Sequence, residues 1–261
     1  MPAQIIHGDF GVQQFAARLG LSRWQLRVGR EHGMLPGPDL DGERWSARLV
    51  READGNGAKV IAMFGAEPPI GSVRAAARLA SRVGLDVERR DVEVLVARGD
   101  LNVISSFRGH PVYLIRDLDG LDPDAVREVV SARKGPLLDS VDGNGAAVIL
   151  DWPRKAFDRI ASEQDLATDR LGRYSLSDVR RLASDEVLMR AVSEEKRRLA
   201  LAKTRRTETR IEDVVRSWLV QCTAYIDRVA DQPPDTTSIG RTLRALVTAR
   251  AESMKQEHEV P

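Results

Sequence analysis

One pattern recurs three times along this chain and restricts its fold more than any total does. An aromatic residue is followed five positions later by an apolar residue within a short amphipathic stretch: Trp45 and Val50 in GERWSARLV, Tyr113 and Leu118 in HPVYLIRDL, Tyr174 and Val179 in GRYSLSDVRRL. Upstream of each, a run with helical periodicity closes on a short exit before a leucine: Gly33-Met34-Leu35, Gly99-Asp100-Leu101 and Gln164-Asp165-Leu166. A unit used three times presents the same architecture three times. Aromatics make up only 5% of the 261 residues, and cores assembled from Leu, Val and Ala favour several modest modules over one thick domain.

In the first unit, Phe15, Ala16 and Leu19 recur at helical spacing. Gly20-Leu21-Ser22 predicts a tight turn with Ser22 as the N-cap of a second helix, Leu26 toward the core and Gly33 as a left-handed stop. The stretch from Pro36 to Gly42 is a loop or hairpin, because proline and glycine break a helix there. Trp45 then falls on a short strand before a closing helix from Ala47 to Ala53. The second unit keeps this order, with Gly84-Leu85-Asp86 at the turn. Its hairpin signal is the plainest in the chain, with Asn102–Phe107 and Val112–Ile115 flanking Arg108-Gly109-His110-Pro111. In the third unit Leu150-Asp151-Trp152-Pro153 makes the turn and Arg154 to Glu163 the second helix. Its first helix, near Gly145–Ile149, is short and weakly patterned.

The segment Arg173-Tyr174-Ser175-Leu176-Ser177-Asp178-Val179-Arg180-Arg181-Leu182 resembles the wing-to-helix part of MerR-like and excisionase-like winged helix–turn–helix domains. GLSRWQLRVGREHGML resembles their turn and recognition helix, and the tandem layout is similar to that of actinobacterial multi-helix–turn–helix proteins. The resemblance covers roughly residues 8–53, 72–121 and 145–183. It implies a mainly α fold with small β-hairpin wings, in three tandem winged helix–turn–helix modules at 1–57, 58–135 and, more degenerate, 136–184. It also implies a double-stranded DNA partner, with the second helix of a module in the major groove and the wing on phosphates. Three modules and the lack of a cysteine-rich effector region set the chain apart from MerR regulators.

A net charge of +1 creates no global basic field, so local charge decides which module suits DNA. Ser22–His32 carries Arg23, Arg27 and Arg30 against Glu31, a net of +2. Asp86–Arg98 sets three arginines against four acids, for −1, and Pro153–Asp165 balances at 0. An acidic helix is repelled by phosphate-lined grooves. DNA contacts are therefore expected from Ser22, Arg23, Gln25 and Arg27, with Arg44 and Arg48 on the first wing. Arg154, Lys155, Arg170 and Arg173 are the counterparts in the third module, while the second acts as spacer or docking surface. Trp45, Tyr113 and Tyr174 are expected to anchor their wings in the core rather than to stack on bases.

Residues 185–261 change character. Asp185–Ala230 holds no Gly or Pro, which predicts one long helix or a broken pair, with Ile211, Val214, Val215, Trp218, Leu219 and Cys222 at helical spacing. Gln232-Pro233-Pro234-Asp235 breaks the chain, and a second helix follows with Ile239, Leu243, Leu246 and Val247 on one face. Such a hairpin buries little alone, which suggests a homodimer formed through it. Within Lys196–Arg210, the residues Lys196, Arg197, Lys203, Arg205 and Arg206 are expected along a phosphate backbone, with strong salt dependence. This layout of a helix–turn–helix followed by a basic helix is similar to phage terminase small subunits. The alternative function is thus an assembly adaptor in packaging or replication.

Signs of catalysis are missing. The four histidines are scattered, no phosphate-binding loop or nucleophile elbow occurs, and no metal or cofactor is expected. Asp-Gly-Asn-Gly-Ala occurs at 54–58 and again at 142–146 without the further ligands of a calcium loop, and reads as turn punctuation. The reading is therefore a non-enzymatic DNA-binding protein acting in transcriptional regulation or mobile-element maintenance. One cysteine, no signal-like N-terminus and no long apolar run point to a cytoplasmic, nucleoid-associated location without a membrane partner.

Overall fold

The computed structural model describes residues 9–258. They form two compact units that divide after Arg180. The chain is mainly helical, with small antiparallel sheets.

The first unit begins with α1 (Val12–Arg18), α2 (Arg23–Glu31), α3 (Ala47–Glu52) and α4 (Asn56–Phe64). It continues with β1 (Ile70–Gly71), α5 (Ser72–Val83), α6 (Arg89–Arg98), β2 (Ser105–Phe107), β3 (His110–Tyr113), α7 (Ile115–Gly120) and α8 (Pro123–Lys134). Then come β4 (Ser140–Val141), α9 (Gly143–Ile149), α10 (Arg154–Glu163), β5 (Tyr174–Ser175) and α11 (Leu176–Ser184), the last crossing the division between the units.

One set of interactions occurs three times in this order. Each aromatic residue pairs antiparallel with an apolar residue just before a first helix: Trp45 with Phe10, Tyr113 with Ile70, Tyr174 with Val141. Each first helix ends in a left-handed residue, Gly20, Gly84 or Asp151. The buried residue that follows, Leu21, Leu85 or Trp152, donates its N–H to an alanine carbonyl one turn back, on Ala16, Ala80 or Ala147. The second helices stop in the same conformation at Gly33, Gly99 and Asp165. Aspartate replaces glycine twice in the third copy, and it tolerates this backbone region better than bulkier residues do. Two of the anchoring aromatics sit where expected: Trp45 is fully buried against Phe15 and donates from Nε1 to the Pro36 carbonyl, and Tyr113 is buried beside Ser72, while Tyr174 is half-buried, edge-on to Phe157.

The first core departs from the expected boundary at residue 57. Helix α4 runs across that position and sends Val60 and Phe64 into the cluster built on Phe15, Leu26 and Trp45. Gly57 makes this possible, since a Cβ there would overlap the Leu19 carbonyl oxygen. The cluster also takes Leu114 and borders Ile104 from the second repeat, and the Arg116 guanidinium donates to the carbonyls of Ala62 and Met63 at the end of α4. Leu114 and Ile104 thus tie the second repeat to the first core.

The second unit holds α12 (Glu186–Ile226) and α13 (Ile239–His258). Helix α12 is one continuous helix of 41 residues rather than a broken pair. The half-buried residues Leu201, Thr204, Glu208, Ile211, Val215 and Trp218 alternate by three and four, the spacing of a coiled-coil seam. Helix α13 answers with Ile239, Thr242, Leu246, Ala249 and Ser253. This corrects the expected apolar face: Leu243 and Val247 are 44% and 70% exposed. Small seam residues allow the two helices to approach closely, so the contact lacks a strong hydrophobic signature in α13.

Arg250 of α13 pairs with Glu208 and Glu212 of α12, and its hydrogen bond holds the Glu212 carboxyl below its usual range. The folded pKa thus lies below the unfolded one. The pair stabilises the hairpin above the ordinary glutamate value of about 4.3, and that contribution disappears as pH falls through the depressed value. Thermal unfolding followed by circular dichroism across this range should show the hairpin weakening toward acid, and Arg250→Ala should flatten the dependence. An unchanged profile in that variant would remove the pair as its source.

Candidate nucleic-acid interface

Helix α2 is set by a reciprocal cap. The Ser22 hydroxyl accepts from the Gln25 backbone N–H, and the Gln25 side-chain oxygen accepts from the Ser22 N–H at 2.9 Å. The Gln25 amide then donates to the Gly65 carbonyl at 2.7 Å, and the residue is 5% exposed. Gln25 is therefore a buried tie between α2 and the end of α4 rather than the exposed side chain expected. The Ser22 hydroxyl also donates to Gln25, so both residues serve the helix start.

Past this cap, Arg23 is exposed with no acidic partner among the described residues, and Arg27 is half-buried beside Glu31 at 3.7 Å. These two arginines and Trp24 form one wall of an open groove of about 550 Å³. The opposite wall comes from the second repeat: Arg74 near the start of α5, then Phe107, Arg108 and His110 around the β2–β3 turn. No acidic residue lines it among the described residues. The Arg27 and Arg108 guanidinium groups each lie 5.4 Å from the centre of the Phe107 ring. That ring is 52% exposed, which leaves an aromatic face flanked by two cations.

The turn itself is unusual. Arg108 and Gly109 both have positive φ, at 53° and 78°. Such two-residue hairpin turns favour Asn, Asp or Gly, and a left-handed residue with a Cβ costs about 1–2 kcal/mol. The turn nevertheless carries arginine at its tip.

The far end of α2 is occupied. His32 donates from Nε2 to the Ile104 carbonyl at 2.8 Å, and Glu31 accepts from the Ser105 hydroxyl. The start of α2 leaves Arg23 exposed and Arg27 half-buried, at the end of the helix that a groove-reading helix uses; Arg30 and Glu31 are exposed at the far end.

The other expected residues are dispersed. Arg44 reaches the Asp9 carbonyl and Arg48 pairs with Glu52, and neither lines the groove. In the third repeat Arg154 is held by Asp158 and Asn144, while half-buried Arg173 donates to the Ser140 carbonyl. Lys155 and Arg170 are exposed. In the second repeat Arg89, Arg90 and Arg98 of α6 are all ion-paired, with Glu93, Glu88 and the pair Asp100 and Glu128. On α12, Lys203, Arg206 and Arg210 line a separate shallow groove of about 420 Å³. Arg197 and Arg205 are exposed elsewhere on that helix, and Lys196 is half-buried. Sequence reasoning missed Arg74, Phe107, Arg108 and His110. The one local signal was the Arg-Gly pair at the hairpin tip.

Comparison with protein-family models, curated proteins and solved structures finds no match. Among the described residues, no helix is long and apolar enough to cross a membrane, and no cluster of His, Cys, Asp and Glu has metal-binding geometry.

Proposed function

We propose that this chain is a non-enzymatic, sequence-specific double-stranded DNA-binding protein. It is built from three tandem winged helix–turn–helix repeats and acts in transcriptional regulation or the maintenance of a mobile element. The observation that carries this reading is the acid-free groove at the start of α2, lined by Arg23, Arg27, Arg74 and Arg108 together with an exposed aromatic ring. Four cations in one concavity attract a polyanion, and a helix start beside them suits base edges in a major groove. The basic face of α12 adds phosphate contacts without sequence preference. Selection of bound duplexes from a random pool tests the reading. An enriched motif is the expected result. No enrichment, together with a stable complex with another protein, would favour an assembly adaptor instead.

The C-terminal hairpin is proposed to pair two copies. Leu219 and Ile226 lie seven residues apart on α12 and are 52% and 76% exposed, and Leu243 and Val247 lie outside the α13 seam. Burying such a stripe is favourable, and two copies supply paired DNA-reading surfaces. Light scattering should find a dimer for the native chain and a monomer after Leu219→Glu with Ile226→Glu. A native monomer at tens of micromolar would overturn the pairing.

A further inference from the structure

We propose that repeats one and two form a single composite DNA reader, in which the β2–β3 hairpin of the second repeat serves as the wing for α2 of the first. This rests on the reading that α2 engages duplex DNA, and it assigns the second repeat a direct role rather than that of a spacer.

Three observations carry it. First, the hairpin is fixed to α2. Ile104 borders the first core, its carbonyl accepts from His32, Ser105 binds Glu31, and the Phe107 ring lies under Arg27. Leu114, just past the hairpin, is buried in the first repeat's core. Hairpin and helix therefore move as one body. Second, the first repeat's own wing lies elsewhere: Arg44, in its Leu40–Arg44 bridge, is absent from the groove, as is Arg48, which lies on α3 and is ion-paired. Third, every arginine of the second repeat's own candidate helix, α6, is matched by a carboxylate, and Asp91 of that helix is buried against Arg133.

The geometry assigns a place to each part of a duplex. With the start of α2 in the major groove, the neighbouring phosphate strand runs through the groove between α2 and the hairpin, against Arg23, Arg27 and Arg74. The hairpin tip then meets the minor groove on the far side of that strand. A narrow, A·T-rich minor groove concentrates negative potential and draws in arginine. Arg108, held at the tip in a left-handed conformation, is the group placed to enter it. The composite site thus reads bases through α2 and groove width through Arg108.

The test uses the full chain and the duplex it selects. Arg108→Asn keeps the turn, because asparagine adopts the left-handed conformation readily. It should lower affinity about tenfold and abolish an A·T preference flanking the α2 contacts. Replacing those A·T pairs by inosine·cytosine should leave native binding intact, since that pair retains the A·T minor-groove edge. Replacing them by G·C should weaken it. Arg89→Ala with Arg90→Ala, on α6, should change nothing. If Arg23→Ala with Arg27→Ala abolishes binding while Arg108→Asn binds as the native chain does, the composite wing is overturned and the α2 reading stands. Loss of binding on inosine·cytosine equal to that on G·C also overturns it, because the contact would then lie in the major groove. A native chain that binds no duplex overturns both.

Discussion

Replacing Asp91 with alanine is expected to lower the unfolding free energy by about 3–5 kcal/mol, the usual effect of removing one partner from a buried ion pair. Asp91 is 1% exposed, and its two carboxylate oxygens accept from Arg133 Nε and Nη2 at 2.8 and 2.9 Å. One of these oxygens also accepts from the Glu88 N–H, capping α6. Without the carboxylate, the enclosed Arg133 guanidinium keeps only Glu88 and the Asp86 carbonyl, and α6 loses its cap. Alanine therefore removes a charge partner and a helix start together. Asp91→Asn should cost less, because an amide oxygen still caps the helix and accepts one hydrogen bond. Asp91→Ala with Arg133→Met should recover part of the loss, since no buried charge is then left alone. Urea denaturation measured by tryptophan fluorescence checks all three. A loss under about 1 kcal/mol for the alanine variant would show that water reaches Arg133 and that the cluster does not lock α6 to α8.

The same cluster shows where the sequence was legible and where it was not. The charge comparison along Asp86–Arg98 marked an excess of carboxylates there, and two of them, Glu88 and Asp91, pair with Arg133 of α8. Turns were legible because Gly20, Gly84 and Gly33 occupy left-handed positions that glycine alone takes cheaply. The leading segments were not: Phe10, Ile70 and Val141 pair over one or two residues, too few for an alternating pattern to appear. The two Asp-Gly-Asn-Gly-Ala runs read as punctuation, yet each opens a helix, α4 and α9, and their second glycines, Gly57 and Gly145, allow close packing. Gln25 misled in the opposite direction. A polar residue near a helix start looks exposed until its cap partner and the distant Gly65 carbonyl are known. The groove was least legible of all, because Arg23 and Arg108 belong to different repeats and the ties of Leu114 and Ile104 to the first core bring them together.

Arg23→Ala combined with Arg27→Ala is expected to reduce affinity for a selected duplex at least about 30-fold at moderate salt, from two contacts of about 1–3 kcal/mol each. Neither side chain is fully buried, so the fold should survive, and an unchanged denaturation midpoint would confirm it. The dependence on salt separates two explanations of the loss. Where both arginines bind phosphates, the slope of log affinity against log salt falls by about two and all sequences weaken together. Where Arg23 or Arg27 reads a base edge, the slope changes less and the preference at one position relaxes. Arg154→Ala supplies the contrast, because that guanidinium is already engaged by Asp158 and Asn144 and should matter little to DNA. Neutralising Lys203, Arg206 and Arg210 on α12 should flatten the salt slope while leaving the selected motif unaltered, since a helix face of point charges cannot distinguish bases. A double variant of α2 that still binds its duplex at native affinity would remove the first repeat as reader, because Arg23 and Arg27 are the arginines that α2 presents to the acid-free groove.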